Sequence, residues 1–305
     1  MSQPVPDPGP DPGPDPEPDP EPDPGPHPDP DPGPDPEPEY AFSHSAADEA
    51  RRLELFQARL DPLTIRRIER LQLSRGARCL EIGAGRGSIA LWLCGLVGPE
   101  GEVTATDIQP EFLTRLSAAN LTVRQHDVRV DPMPAGSFDF IHLRAVLMHL
   151  EHRMKILRRV VSWLAPGGWL LVEEPDFGMW QADYDPVWAG HPRAWHEAFP
   201  HGSLSQGRAL LRQIHNLELA EVGADAELDV VTPGSALAEF YRLSMSALAA
   251  PSVATGVLTR EEAAALTARP TDRDFLGCGF AYFGAWGRRR FIADHATSRS
   301  ADDPA

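Results

Sequence analysis

The spacing of hydrophobic residues along the chain changes near position 76. Before that position Leu53, Phe56 and Leu60 recur at helical spacing, and Asp61-Pro62 predicts the start of a second helix. After it, short apolar runs closed by turn residues predict strands at 79–83, 103–107, 122–126, 138–143 and 169–173, with helices at 88–96, 110–119 and 146–164 between them. Strands and helices that alternate in this way form a parallel sheet with right-handed crossovers, so the pattern predicts an α/β domain.

Beyond residue 174 the alternation ends. Residues 175–205 predict an irregular insert that is rich in aromatic side chains. Further helices are predicted at 207–222, 235–248 and 259–267, and further strands at 227–231 and 275–285. Because a helical excursion separates the two late strands, we expect a hairpin-like pair with one antiparallel member.

The first forty residues differ in composition from the rest. Every even-numbered residue from Pro4 to Pro38 is proline, and Asp, Glu and Gly fill most positions between them. Proline has no backbone N–H and keeps the preceding residue out of the α region, so this run cannot form a helix or an inner strand. We expect a disordered acidic arm over 1–39, one α/β domain over 40–295 with N-terminal helices in 40–75, and a disordered tail over 296–305.

The negative charge of the chain is concentrated in the arm. Residues 1–40 hold 12 of the 45 acidic residues and none of the 28 basic ones, so the net charge is −17 for the whole chain but −5 for the remainder. The remainder has no basic patch of the kind that binds nucleic acid, and no apolar stretch reaches the roughly 18 residues of a membrane span. Three cysteines without CxxC spacing predict reduced thiols in a cytoplasmic protein, with its oligomeric state left open.

A glycine-rich turn follows the first predicted strand. The segment LEIGAGRGS, residues 80–88, runs from buried strand through glycines at alternate positions into a helix. Glycine lets the backbone turn with positive φ and lets a ligand approach without a Cβ clash, while the helix start points N–H groups at that ligand. Ordinary tight turns use the same residues, so the motif needs support from its context. Its candidate cofactor contacts are Glu81, Gly83, Ala84, Gly85 and Gly87.

Acidic residues at the ends of the next two strands supply that context. Asp107 lies twenty residues beyond Gly87, where a carboxylate can accept hydrogen bonds from both ribose hydroxyls of an adenosine. Asp127 can accept a hydrogen bond from the adenine amino group. Capping of the following turn is the alternative role of both residues. The residues that follow them, Ile108 and Val128, complete this part of the candidate site.

Two cofactor classes share these features. A dinucleotide fingerprint, GxGxxG/A, requires Gly or Ala at its sixth place, where this chain has Ser88. Pyrophosphate therefore fits poorly. The pattern GxGxG preceded by Glu81 suits a ligand with an amino-acid tail, because the carboxylate can face the ammonium group of that tail.

Residues 61–174 resemble the class I S-adenosylmethionine-dependent methyltransferases, and within them the ubiquinone/menaquinone-biosynthesis-like small-molecule branch; the similarity continues more loosely to Arg288. Residues 80–88 match the family's first motif, Asp107 its ribose-binding acid, and FDFI at 138–141 its fourth strand. LAPGGWLLVEE at 164–174 matches its turn and fifth strand, which dehydrogenases have no reason to share. The resemblance implies a Rossmann-like, seven-stranded and mostly parallel sheet in the order 3-2-1-4-5-7-6 with one antiparallel strand. It also implies S-adenosylmethionine as methyl donor and S-adenosylhomocysteine as product.

The methyl acceptor is expected at the carboxyl ends of the fourth and fifth strands. Residues 138–150 line up with a family stretch that ends in a histidine near the methyl group, so His149 is the candidate general base. A histidine on a helix face is the alternative. Leu143 and Arg144, at the end of the fourth strand, are candidate cofactor contacts, and a salt bridge is the alternative role of Arg144.

Other polar residues near this edge are given structural roles. His142 is expected to be a satisfied core histidine. A salt bridge is the favoured role of Glu174, with binding of the acceptor or of the cofactor carboxylate as its alternative. Arg52 on the first helix is expected to be solvated, with a contact to the methionine carboxylate as its alternative. No metal site is predicted, because the histidines around the fourth strand have no carboxylate at matching spacing.

These features together predict an enzyme that transfers a methyl group by in-line displacement to a small, apolar or aromatic metabolite, in secondary metabolism. The aromatic insert suits such an acceptor. Two other functions stay open: an NAD(P)-dependent Rossmann oxidoreductase, and a non-catalytic S-adenosylmethionine-binding protein.

Overall fold

The structure is a computed structural model, and it describes residues 46–178, 185–199 and 202–291. Its helices are α1 (Ala46–Leu71), α2 (Ser88–Val97), α3 (Arg153–Trp163), α4 (Gly190–Ala198), α5 (Gln206–His215), α6 (Ala236–Ala254) and α7 (Arg260–Ala268). Its strands are β1 (Arg78–Ile82), β2 (Glu102–Asp107), β3 (Leu121–Gln125), β4 (Phe138–Arg144), β5 (Leu164–Asp176), β6 (Ala220–Val231) and β7 (Gly277–Arg288). The expected arm over 1–39 and tail over 296–305 lie outside these residues. No helix in the described ranges has the length and apolar character needed to cross a bilayer.

All seven strands form one sheet in the order β3-β2-β1-β4-β5-β7-β6. β1 to β5 pair in parallel, and β7 runs antiparallel to both β5 and β6. The expected order and the single antiparallel strand are therefore confirmed. The carboxyl ends of β1, β2, β4 and β5 share one edge of the sheet, where the candidate site residues lie.

The core lies on both faces of the sheet. On one face Phe140 and Leu171 pack against α1 and α2, and on the other Leu80 and Leu170 pack against α3 and α5. All four side chains are fully buried. Strands covered on both faces carry apolar side chains at successive positions, which is why the sequence shows short continuous apolar runs there. A third apolar cluster joins the first half of α1 to α4, α6 and α7.

α1 is one continuous helix through Pro62, so the expected break into two helices is wrong. Proline removes the N–H that would bond to the carbonyl group of Ala58. Both Pro62 and Ala58 lie on the exposed side of α1, where water can satisfy that carbonyl. Leu60 and Leu63 hold the opposite side of the helix in the core.

Two other expected helices are shorter than predicted. Residues 110–119 contain only a 3-10 turn, Pro110–Arg115, because Leu113 and Leu116 are three residues apart and both pack beside Gly87. Residues 146–164 divide into a 3-10 turn, Leu147–His149, and α3. The carboxylate of Glu174 binds the backbone N–H groups of that 3-10 turn, and His152 has a left-handed φ of 48° before α3.

The late elements differ most from the expectation. The helix predicted over 207–222 ends at His215, and the strand predicted over 227–231 already begins at Ala220. Glu218, with a φ of 55°, lies in the turn between them. β6 extends this far because pairing with β7 satisfies its backbone groups. The insert predicted to be irregular contains α4 in its described part.

Candidate cofactor and acceptor site

The glycine-rich turn joins β1 to α2 with positive φ at three glycines: 68° at Gly83, 56° at Gly85 and 77° at Gly87. A Cβ at Gly83 would collide with the side chain of Val146, and one at Gly87 with that of Leu116. A Cβ at Gly85 would have no atom within 4 Å. Packing thus accounts for two of these glycines, whereas Gly85 presents bare backbone to open space. This is the geometry that a ligand lying against the turn requires.

Asp107, at the end of β2, holds this turn in place. Its Oδ2 accepts a hydrogen bond from the N–H of Gly85 at 2.9 Å, and its Oδ1 accepts one from the N–H of Gln109 at 3.0 Å. Burial raises the pKa of Asp107, and the backbone N–H groups oppose that rise. Each oxygen can accept a second hydrogen bond, so the carboxylate can still bind a ribose. The apolar side chain of Ile108 beside it is 45% exposed.

Asp127 binds a neighbouring arginine. Its carboxylate accepts from the Arg129 guanidinium at 2.7 Å and from the Arg129 backbone N–H at 2.8 Å. Burial alone would raise the pKa of Asp127, but the bonds from Arg129 lower it. Val128 between them is buried in the core. The carboxylate retains acceptor capacity, and its contact with adenine stays a prediction.

A buried chain of charges lies beneath the turn. Oε2 of Glu81 is 2.7 Å from Nδ1 of His142, and Oε2 of Glu173 is 3.0 Å from Nε2 of the same ring. Because both ring nitrogens face carboxylate oxygens, each donates a hydrogen bond and the ring is an imidazolium. Burial opposes that charge, yet the two carboxylates raise the pKa of His142 to about 9. Burial alone would raise the pKa of Glu173, but His142 and two arginines lower it to about 2. His142 is thus a satisfied core residue, as predicted.

Two side chains of α1, Thr64 and Arg67, extend this row of buried charged groups. Glu173 accepts hydrogen bonds from Thr64 and Arg67, and Arg67 also binds Asp225 of β6. These contacts fix α1 across β5 and β6. Neither Thr64 nor Arg67 was predicted from the sequence to take part in the site. The signal that could have found them is a polar residue at every third position, 61, 64 and 67, on a helix face otherwise predicted to be buried.

Arg144, a predicted cofactor contact, forms the salt bridge that was its alternative role. Its guanidinium donates to Asp61 at 2.8 Å and to Thr64 at 3.1 Å. Asp61 also accepts from Ser88, the first residue of α2, at 3.1 Å. Leu143, the preceding residue of β4, is fully buried, and its contact with the cofactor stays a prediction. The hydrogen bonds of Asp61 therefore link α1, the end of β4 and the start of α2.

Glu174 forms no salt bridge with any other described residue, so the salt-bridge role expected for it is wrong. Its carboxylate accepts the backbone N–H groups of Val146, Leu147 and Met148 at 3.1, 2.7 and 3.1 Å. Burial raises the pKa of Glu174, and these three N–H groups oppose the rise. The carboxylate of Glu174 thus caps the start of the 3-10 turn that contains His149. Glu174 therefore positions that histidine.

His149 lies among aromatic rings. Its ring centroid is 4.9 Å from that of Phe199 and 5.9 Å from that of Trp195. Its Nδ1 is buried and has no hydrogen-bond partner among the described residues. Burial first, and then the charges of Arg52 and Arg153, lower the pKa of His149 to about 4. The ring is therefore a neutral hydrogen-bond acceptor at neutral pH, and a weak base.

The surroundings of the site include Arg52 of α1 and the aromatic insert. Arg52, expected to be solvated, is 7% exposed and donates two hydrogen bonds to Glu49, at 2.7 and 2.8 Å. The aromatic insert is described only in part: Trp180, Tyr184 and His201 lie outside the described residues. The described ranges hold no group of three or more side chains placed to bind a metal ion.

A family model described as a methyltransferase domain matches residues 56–222, more than half of the chain. Methyltransferase str3 of Strobilurus tenacellus is 38% identical over 108 residues, 35% of this chain and 38% of that protein. The ubiquinone/menaquinone biosynthesis C-methyltransferase UbiE of Pseudomonas entomophila is 33% identical over 115 residues, 35% of this chain and 45% of that protein. The chain thus spans less than half the length of these curated relatives.

A solved structure shows the same fold. The YcgJ protein from Bacillus subtilis superposes with a TM-score of 0.50 at 18% identity, covering 73% of this chain and 96% of that one. The strand order, the glycine turn with its carboxylate, and the family match over 56–222 agree with one another. The chain belongs to the class I S-adenosylmethionine-dependent methyltransferases.

Proposed function

We propose that this protein transfers a methyl group from S-adenosylmethionine to a small, apolar or aromatic acceptor. The observation that carries the proposal is the open side of Gly85, whose backbone is held by the carboxylate that also suits a ribose. When bound, the cofactor supplies an electrophilic methyl group on a sulfonium and leaves as S-adenosylhomocysteine. The protein's task is then to align the two reactants and exclude water.

Each end of the cofactor has a candidate partner. Asp107 accepts from the ribose hydroxyls, with Ile108 packing against the base and Asp127 accepting from its amino group. At the amino-acid end, one oxygen of Glu81 binds His142, and the other makes no hydrogen bond among the described residues. We assign that second oxygen to the ammonium group. The positive ring of His142 lies against Glu81 and offsets the cost of burying its carboxylate.

The acceptor lies beside His149 in this proposal. Phe199 and Trp195 supply flat apolar surfaces next to the imidazole, and such surfaces bind small aromatic molecules. The name of the Pseudomonas relative, a ubiquinone/menaquinone biosynthesis enzyme, is compatible with an acceptor of this kind. We extend the proposal to secondary metabolism, to a catalytic unit over 40–295 and to action in the cytoplasm, without a nucleic-acid or membrane partner.

Calorimetry with S-adenosylhomocysteine and with NADH tests the proposed cofactor. We expect heat from the first ligand alone; binding of NADH alone would favour the oxidoreductase. Asp107→Ala should weaken the binding of S-adenosylhomocysteine at least about 100-fold, because the substitution removes two hydrogen bonds to a charged acceptor. Asp139→Ala is the matched control, since Asp139 binds Arg78 at the surface near the opposite end of the strands. Equal affinity of the two variants would contradict the assigned role of Asp107.

A second assay tests catalysis. Cell extracts are incubated with the protein and a methyl-labelled donor, and the labelled product is identified. A labelled small aromatic product supports the proposal. Binding of S-adenosylhomocysteine without any labelled product would favour a non-catalytic binding protein.

A further inference from the structure

A row of aromatic rings in contact runs from His149, which follows β4, to Tyr282 on β7. We call this set the aromatic wall; its members are Phe56, Phe177, Trp195, Phe199, Phe240, Phe280 and Tyr282. Trp195 is 5.3 Å from Phe177, which is 5.6 Å from Phe280 between ring centroids. Phe280 in turn is 5.8 Å from Tyr282. The wall thus connects the predicted base to a tyrosine on β7.

Tyr282 is fully buried, and its hydroxyl has no hydrogen-bond partner among the described residues. It pairs with Pro175 across β5 and β7, one residue beyond Glu174. Its ring makes an edge contact with Phe56 and lies 5.8 Å from the guanidinium of Arg67. The phenol therefore sits near the carboxyl end of β5.

The polar groups around Tyr282 are already engaged. Glu173 accepts from Thr64, Arg67 and His142, and Glu174 accepts three backbone N–H groups. Burial, then the charge of Glu173, raise the pKa of Tyr282 well above its usual value, so the phenol stays neutral and can donate. A buried hydroxyl without a partner costs free energy, which a ligand could recover by accepting from it.

Tyr241 shows the contrasting case. It is equally buried and lies 5.8 Å from Phe280, but its hydroxyl accepts the backbone N–H of Phe280 at 2.7 Å. Of these two neighbouring buried phenols, one is satisfied by the backbone, and the other has no hydrogen-bond partner among the described residues. Packing of the rings does not explain this difference, since both rings are packed.

We propose that the hydroxyl of Tyr282 donates a hydrogen bond to an oxygen of the methyl acceptor, while the aromatic wall packs against the acceptor's ring. This inference rests on the proposed function. It makes the acceptor an aromatic molecule with a hydroxyl or carbonyl oxygen. Tyr282 then selects the acceptor by that oxygen, because an apolar analogue of the same shape leaves the phenol unpaired.

The test compares two probes that differ by one oxygen, 2-naphthol and naphthalene, on the full chain saturated with S-adenosylhomocysteine. Wild type should bind 2-naphthol about three- to tenfold more tightly than naphthalene, the size of one net hydrogen bond. Tyr282→Phe should bind the two probes equally, without loss of thermal stability. Tyr241→Phe, the matched control, should keep the preference and unfold at a lower temperature.

Three results would overturn the inference: no preference in wild type, a preference retained by Tyr282→Phe, or no binding of either probe. The cofactor titration separates this failure from that of the proposed function. If wild type binds S-adenosylhomocysteine but shows any of these results, only the role of Tyr282 fails. If it does not bind S-adenosylhomocysteine, the proposed function fails as well.

Discussion

Substituting Gly85 by alanine tests the close approach of the cofactor most directly. The residue has a φ of 56°, and a Cβ there would meet no atom within 4 Å. The folded chain therefore has room for the methyl group, and the only cost to the fold is the left-handed backbone, about 1–2 kcal/mol. A cofactor bound against the turn, by contrast, would collide with the new methyl group in that space.

Gly76 provides a matched control. It has a φ of 79°, and a Cβ there would likewise meet no atom within 4 Å. It lies before β1, at the opposite end of that strand from the glycine-rich turn. Gly76→Ala should therefore lose a similar amount of stability without touching the cofactor.

The effect on binding follows from overpacking. Forcing one extra methyl group into a close contact costs about 1–3 kcal/mol, which corresponds to roughly 5- to 150-fold weaker binding. We expect Gly85→Ala to weaken the binding of S-adenosylhomocysteine by this factor in calorimetry. Gly85→Val should abolish binding, whereas Gly76→Ala should bind the ligand with normal affinity. Denaturant titrations of the alanine variants check that their stabilities match. Normal affinity of Gly85→Ala, or an equal loss in Gly76→Ala, would refute the reasoning.

Two further outcomes concern the histidines. His149→Ala should slow methyl transfer about 100-fold, the lower end of general-base effects because its pKa is low, while the affinity for S-adenosylhomocysteine stays normal; unchanged turnover would make His149 a bystander. His142 has a folded-state pKa of about 9 against an ordinary 6.5, so its contribution to stability is complete below pH 6.5 and is lost as the pH rises through 9. The unfolding free energy should fall by at most about 3 kcal/mol between pH 6 and 10 in urea titrations, and a flat profile would exclude a charged His142.

The parallel half of the fold could be predicted because its signals are local. A buried strand such as β1 or β4 is a short apolar run closed by a turn residue, and the structure has both within one or two residues of the prediction. β6 could not be predicted in full, because its first residues continue the polar pattern of α5. The strand conformation of these first residues comes from pairing with the end of β7, more than sixty residues later in the chain.

The same division holds for the candidate site. The glycine turn and Asp107 are separated by one helix and were visible as a motif with fixed spacing. The partners of Glu173 are not local: Thr64 lies 109 residues before it in the chain. Tyr282 lies more than a hundred residues after it. Only the packing of α1 and β7 on β5 brings these groups together, and no spacing rule in the sequence specifies that.

The bond from Gly85 to Asp107 has a consequence for how the cofactor arrives. The N–H of Ala84, one residue earlier, also bonds to the carbonyl of Thr106 at 2.9 Å, so two consecutive peptides of the turn are anchored to β2. The conformational entropy of this segment is therefore lost during folding and not at the encounter with the cofactor. Preorganisation of this kind lets association proceed without waiting for a loop to close, and it leaves affinity to be set by how fast the complex dissociates.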